Sequence, residues 1–280
     1  MRTSESGKAA PNGPLSGRVA LVTGAGRGLG ASYVTALAAA GAAVVVNDAS
    51  LSVDGASRED TDVAGAVVET ITAAGGIATA DRSDISHFAG AEQAVTCAME
   101  AFGRLDIVIN NAGILSAPAV SDLSQEELDR VLATNVTGSI GIARAAFAPM
   151  RERRYGRVIN TVSEAALGTG YHAGVAYAAS KAALWGLTMV LADEGAPYGI
   201  TVNAVSPGAR TRMSHDHLER VGTTLDLDPA HVSRVVLALV AESAGDITGR
   251  VIHAAGGAVR EYQLKRHADT PLVARLTRSE

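Results

Sequence analysis

Tyr177 and Lys181 stand four residues apart in the run Tyr177-Ala178-Ala179-Ser180-Lys181. On a helix this spacing places both side chains on one face. A free tyrosine titrates near pH ~10, too high for an effective base at neutral pH. A cation one turn away favours the phenolate and lowers that value. The pair is therefore a candidate proton-transfer device tuned towards working pH. The same spacing also occurs on solvated helix faces, so its meaning rests on what the chain places around it.

A glycine-rich loop supplies the second chemical signal. Gly24-Ala25-Gly26-Arg27-Gly28-Leu29-Gly30 follows a short apolar run and opens an alanine-rich segment. A pyrophosphate needs close backbone approach, free N–H groups and a helix N-terminus, and a strand–glycine loop–helix junction offers all three. Leu29 falls where G-x-G-x-x-G started at Gly24 requires its third glycine, so the loop reads as Thr23-Gly24-x-x-x-Gly28-x-Gly30. Asp48 closes the next apolar run, 20 residues after Gly28. A carboxylate there accepts hydrogen bonds from the adenosine ribose hydroxyls and repels a ribose phosphate. Arg27 pulls the other way, because a basic loop residue can meet that phosphate. Asp48 is closer to the discriminating group, so NAD is the expected cofactor and NADP the alternative.

These residues need elements to bring them together. Apolar runs at 19–22, 43–46, 77–80, 105–109, 157–161, 200–205 and 250–253 read as seven buried strands. Helices are expected over 28–40, 63–74, 89–102, 124–133, 138–152, 175–194 and 229–241. Gly41 stops the first of them, and Ser124-Gln125-Glu126-Glu127 forms a capping box on the fourth. Strands alternating with helices predict an α/β fold, a doubly wound, seven-stranded parallel sheet flanked by helices, with right-handed crossovers. No composition break suggests a second domain. The expectation is one domain over 17–262, a flexible tail over 1–16, and a tail or partner-packing arm over 263–280.

At this point the chain resembles the classical short-chain dehydrogenase/reductase family, whose Rossmann fold the strand order would share. The resemblance covers about residues 15–260 and rests on ordered motifs: the glycine loop, Asn110-Asn111-Ala112-Gly113, Asn135, Ser163, Tyr177 with Lys181, and Pro207-Gly208. It implies a role for each matching position. Tyr177 would be the general acid/base on the substrate oxygen. Lys181 would lower the tyrosine pKa and hold the nicotinamide ribose. Ser163 would hydrogen-bond the substrate oxygen, and Asn135 would help hold a water linking Lys181 to solvent. Gly24, Arg27, Gly28, Leu29 and Gly30 would cradle the pyrophosphate, with Asp48 on the adenosine ribose. Asp84 and Ile85 would contact adenine, Asn111, Ala112 and Gly113 would end the fourth strand against the cofactor, and Pro207, Gly208 and Thr211 would border the nicotinamide. The family places its serine thirteen residues before the tyrosine, which here is Glu164. A one-residue insertion within 165–174 leaves Ser163 in that role, with Glu164 as the alternative. The cofactor half also resembles the dehydrogenase module of peroxisomal multifunctional enzymes acting on (R)-3-hydroxyacyl-CoA.

Composition sets the outer limits. The 280 residues are 47% hydrophobic and only 4% aromatic, so aliphatic side chains must build the core. A net charge of -5 argues against a nucleic-acid partner. Cys97 is the single cysteine, which excludes an intrachain disulfide and fits a reducing, cytoplasmic compartment. No uninterrupted apolar run reaches the ~18 residues of a membrane span, so none is expected. His215-Asp216-His217 lacks a third metal ligand, and residues 213–228 read instead as a polar lid over the substrate. Tyr171 and His172 are expected near the same pocket. The resulting expectation is an NAD-dependent enzyme on a small secondary alcohol or ketone, assembled as a homo-oligomer, commonly a tetramer in this family. The alternatives are an NADP-dependent reductase and a nucleotide-binding regulator that keeps the fold without the chemistry.

Overall fold

The computed structural model describes residues 13–167 and 173–264. The chain runs β1 (Val19–Thr23), α1 (Gly28–Ala39), β2 (Ala43–Asn47), α2 (Val63–Ala73), β3 (Ile77–Asp81), α3 (Phe88–Phe102) and β4 (Ile107–Asn110). It continues α4 (Gln125–Leu132), α5 (Gly138–Arg153), β5 (Gly156–Thr161), α6 (Val175–Gly195), β6 (Ile200–Gly208), α7 (His215–Val221), α8 (Pro229–Val240), β7 (Val251–Ala255) and β8 (Ala258–Tyr262).

Successive residues of a strand point to opposite faces of its sheet, so a strand covered by helices on both faces must be apolar throughout. In β1, Ala20 and Val22 join one core with Leu37 of α1, Ile71 of α2 and Val236 of α8. Val19 and Leu21 join the opposite core with Val95 of α3, Ile142 of α5 and Ala192 of α6. Each fully buried Leu or Ile in these layers stabilises the fold by roughly 1.5–3 kcal/mol relative to exposure.

The sheet order is β3-β2-β1-β4-β5-β6-β7-β8. The seven expected strands are all present and pair in parallel. An eighth, β8, was not expected: it pairs antiparallel to β7, with Ala255 opposite Ala258. Gly256 and Gly257 form the connecting two-residue turn at φ 52° and 81°, which suits a hairpin that needs two left-handed residues.

Two boundaries differ from expectation. Leu15 is buried at 2% exposure and its N–H donates to the Ala40 carbonyl at 2.9 Å, so the ordered packing begins inside the expected tail. The capping box on α4 forms as expected, with Ser124 accepting from the Glu127 N–H and Glu127 accepting in return from the Ser124 N–H. Beyond α4, residues Ala133–Thr137 wind as a π-helical turn, which makes Gln125–Arg153 one continuous helix. That helix and Val175–Tyr198 are each long and apolar enough to cross a membrane by length and composition alone. Both lay a face on the sheet: Ile142 and Met150 of α5 and Ala192 of α6 pack with Val158 and Val202.

Candidate active site

The chain switches direction in the sheet between β1 and β4, where β2 lies on one side and β5 on the other. The strand ends part at such a switch, and open α/β sheets bind ligands there. A cavity of about 640 Å³ occupies this position and runs from Asp48 to Tyr177. Of the expected site residues, Gly30 and Asn135 lie behind its wall, and all the others line it.

Its floor at the β1 end is built by backbone packing on backbone. Gly24 has φ +62°, and a Cβ there would sit 2.8 Å from the Ala112 Cα. A Cβ on Gly30 would sit 2.2 Å from the Gly24 carbonyl oxygen. The Thr23 hydroxyl accepts from the N–H groups of Asn111 and Ala112 at 3.1 and 3.0 Å. Asn111 Nδ2 donates to the carbonyls of Thr23 and Gly24, both at 3.0 Å. The N-terminus of α1 has no side-chain cap. A cradle without side chains, opening on uncapped helix N–H groups, fits the pyrophosphate of a dinucleotide. At the β2 end of the cavity Asp48 accepts from the Gly26 N–H at 2.9 Å and from the Ser50 N–H at 2.8 Å, which fixes its carboxylate against the loop. Asp84 and Ile85 line the same end after β3.

The other end holds Tyr177 and Lys181, the pair expected to transfer a proton. Tyr177 and Lys181 lie on the inner face of α6 at 6% and 3% exposure. Lys181 Nζ donates to the Thr161 carbonyl at 2.8 Å and lies 5.6 Å from the centroid of the Tyr177 ring. Burial disfavours its charged form and pulls its pKa down to about 8. The π turn carries Asn135 to the same place. Its Oδ1 accepts from the Ile114 N–H at 2.9 Å, and its Nδ2 donates to the Ile114 carbonyl at 3.1 Å and to Ser180 Oγ at 2.9 Å. Gly113 passes between them: a Cβ there would lie 3.3 Å from Lys181 Nζ and 3.4 Å from Asn135 Oδ1. A model described as short chain dehydrogenase matches residues 18–221. The chain belongs to the short-chain dehydrogenase family.

Its relatives within that family are varied. It is 40% identical over 226 residues to the peroxisomal hydratase-dehydrogenase-epimerase of Saccharomyces cerevisiae, covering 81% of this chain and 25% of that protein. Across three such peroxisomal relatives the chain spans 25%, 28% and 41% of their length. It is 38% identical over 267 residues to a versicolorin reductase of Emericella nidulans, covering 88% of this chain and 97% of that one. A crystal structure of a short chain dehydrogenase from Mycobacterium avium superposes with a TM-score of 0.80 at 39% identity, covering 92% of this chain and 89% of that chain.

Several features of this short-chain dehydrogenase were not legible in its sequence. Ser163 and Glu164 both line the cavity, but they differ in what they touch. Ser163 Oγ accepts from the Ala165 N–H at 3.2 Å. The Glu164 carboxylate accepts from the Tyr262 hydroxyl on β8 and lies 3.7 Å from His253 Nδ1 on β7. Burial, reinforced by Glu164, pushes the Tyr262 phenol up to about 12. This wall is silent in the sequence because β8 is, and the Gly256-Gly257 pair is the signal that marks it. Ser180 and Thr161 also hold the Tyr177 end of the cavity, through Asn135 and Lys181, yet they look like ordinary helix and strand residues in sequence.

The expected polar lid is more apolar within. Met213, Leu218, Val221, Leu225 and Leu227, on and around α7, line the cavity, and the Tyr177 hydroxyl donates to Met213 Sδ at 3.8 Å. Tyr171 and His172 fall outside the described residues. Among the described residues no group of three or more His, Cys, Asp or Glu side chains could hold a metal. Cys97 is half-buried on α3, where desolvation raises its pKa, away from the cavity.

Proposed function

We propose that this short-chain dehydrogenase is an NAD-dependent oxidoreductase acting on a secondary alcohol or its ketone, with Tyr177 as general acid/base. The observation that carries this reading is the single cavity that joins the Asp48 carboxylate at one end to the buried Tyr177–Lys181 pair at the other. The glycine cradle and the uncapped α1 N-terminus would hold the pyrophosphate, Asp48 the adenosine ribose hydroxyls, and Lys181 the nicotinamide ribose. When bound, the nicotinamide supplies or accepts the hydride. The chain's own residues handle the proton and the developing charge.

In the oxidative direction Tyr177 takes the hydroxyl proton of the substrate as its oxygen becomes a carbonyl. Lys181 in its charged form favours the phenolate that must do this. Ser163 donates a hydrogen bond to the same substrate oxygen and stabilises charge there. Asn135 fixes Ile114 and Ser180, and so positions the strand end and helix face that carry Gly113 and Lys181. A buried lysine with a pKa near neutrality and an apolar lid are consistent with chemistry shielded from water.

Asp48 supports NAD over NADP, because a carboxylate turned to the ribose repels a 2′-phosphate. The substrate class follows less directly. The peroxisomal relatives carry dehydrogenase in their names, and the versicolorin enzyme carries reductase. A 3-hydroxyacyl thioester is therefore one member of a panel that also includes steroids and simple secondary alcohols. Assembly is proposed through the outer faces of α5 and α6, where Ile140, Val175 and Val190 are exposed. Light scattering of the purified protein reads that directly, and a monomer would remove it.

Fluorescence titration with NADH and NADPH tests the cofactor, and the substrate panel with NAD tests the reaction. Tyr177→Phe tests the mechanism: turnover should fall by about 10²–10⁴. NADH binding should stay close to wild type, because the substitution removes one hydroxyl and keeps the ring in the cavity wall. Turnover surviving in Tyr177→Phe would rule out the assigned proton path.

A further inference from the structure

Between Asp48 and α2 the chain makes a polar excursion, residues 49–62, that crosses the adenosine end of the cavity. Leu51, Ser52 and Val53 line the cavity on the way out. Glu59, on the return, bridges two arginines from opposite walls. Its Oε2 accepts from Arg27 Nη2 in the glycine loop. Its Oε1 accepts from Arg212 Nη1 beside the lid at 2.6 Å. Each guanidinium has a second partner on the same excursion or its end: Arg27 Nη2 donates to Thr61 Oγ1 at 3.2 Å, and Arg212 Nη2 to the Leu51 carbonyl at 3.1 Å. Both arginines line the cavity.

The side chains of Arg27, Glu59 and Arg212 are 33%, 32% and 45% exposed. Ion pairs this wet add little to stability. What they do fix is direction. Arg27 Nη2 is directed at Glu59 and Thr61, which turns the guanidinium towards the excursion and matches its charge there, so meeting another anion requires breaking that pair. Arg27 directly follows Gly26, whose N–H donates to Asp48. It is therefore the loop cation placed to meet a phosphate on the ribose that Asp48 faces. To do so it would have to leave Glu59, whose Oε2 would then face the incoming dianion without that cation, with only Oε1 still held by Arg212.

We propose that Glu59 is a positioning residue for cofactor choice: it withholds Arg27, with Arg212 anchoring its other oxygen, so that a 2′-phosphate finds no free guanidinium. Discrimination then has two parts, repulsion by Asp48 and occupancy of Arg27 by Glu59. This rests on the reading of the cavity as an NAD site. It also accounts for a sequence that carries an NADP-like arginine in its glycine loop together with an NAD-like aspartate after β2.

The test is direct binding of NADH and NADPH, by fluorescence titration, to wild type, Glu59→Gln, Arg27→Ala and the double variant, with thermal melts to establish folding. Glu59→Gln should tighten NADPH by about tenfold, the scale of one added charge-assisted hydrogen bond, and leave NADH within about twofold. In the Arg27→Ala background the same substitution should change neither affinity. Glu59→Ser should repeat the pattern. Equal loss of both cofactors in Glu59→Gln would make Glu59 a fastening for the excursion and overturn the proposal. So would a gain in NADPH that persists without Arg27, because that is a bare charge effect. Wild type preferring NADPH would instead sink the NAD reading itself. Wild type preferring NADH with an unchanged ratio in Glu59→Gln would sink only the role of Glu59.

Discussion

Lys181 reaches from α6 to donate a hydrogen bond to the carbonyl of Thr161, the last residue of β5, at 2.8 Å. The helix that carries Tyr177 and Lys181 is thus tied to the strand end that leads into Ser163. The tie uses a buried ammonium, and that has a cost visible in the pH dependence of stability. Lys181 falls from 10.5 to about 8 on folding. Between those values the unfolded chain binds more protons than the folded one, so stability rises with pH across the window. Below about 8 the full penalty is present, on the order of 3 kcal/mol. Lys181→Met should remove this contribution. The urea midpoints of wild type and variant, compared from pH 7 to 11 without cofactor, should differ most at pH 7, with the variant higher, and draw together as the pH rises through 10.5. The same variant should lose both turnover and NAD affinity. A constant difference across the range would mean that the ammonium is not desolvated.

Asp48 has two backbone partners, the N–H groups of Gly26 and Ser50. Asp48→Ala removes the repulsion of a 2′-phosphate and also the acceptor that shapes the loop. NADPH should therefore gain relative to NADH by about tenfold, while NADH itself weakens. Paired titrations check this, and an unchanged ratio would show that the carboxylate does not face the ribose.

Much of this architecture was legible because of where it is buried. The parallel strands are covered on both faces, so Val44, Val45 and Val46 of β2 are all buried and read as one apolar run. Gly24 and Gly30 of the loop were legible because a side chain on either would run into the loop backbone or the segment after β4. β8 was not, because Ala258, Val259, Arg260 and Glu261 are exposed on a sheet edge and carry no alternation. The π turn was hidden because α4 and α5 both carry helical patterns, and one extra residue of winding leaves no mark in composition. The bridge from Glu59 to Arg27 and Arg212 joins positions 32 and 153 residues apart, and sequence alone shows those only as charges in loops.

Asn135 is fully buried, and its side-chain atoms make three hydrogen bonds. Asn135→Ala would leave the Ile114 N–H without its acceptor and the Ile114 carbonyl without that donor, inside the wall of the site. The expected loss is roughly 2–4 kcal/mol of stability, together with turnover. Denaturant unfolding separates this variant from Tyr177→Phe, which should lose turnover at nearly unchanged stability. If Asn135→Ala unfolds at the wild-type midpoint, its hydrogen bonds do not hold the strand end.

Ser163 and Glu164 compete for one role, and their contacts predict how substitution divides them. Ser163 lines the cavity, and its hydroxyl accepts one long bond from the Ala165 N–H. Glu164 is bound to the Tyr262 hydroxyl and stands near His253. Ser163→Ala should lower kcat by about 10²–10³ with a smaller change in cofactor affinity, as loss of a donor to developing charge does. Glu164→Gln should keep most of kcat. It should also remove the anion that helps raise Tyr262, so the phenol should titrate below its wild-type value of about 12 in an ultraviolet pH titration. Burial is the larger cause of that shift, so the fall should be partial. If Glu164→Gln abolishes turnover and Ser163→Ala does not, residues 165–174 carry no insertion and the carboxylate holds the serine's place.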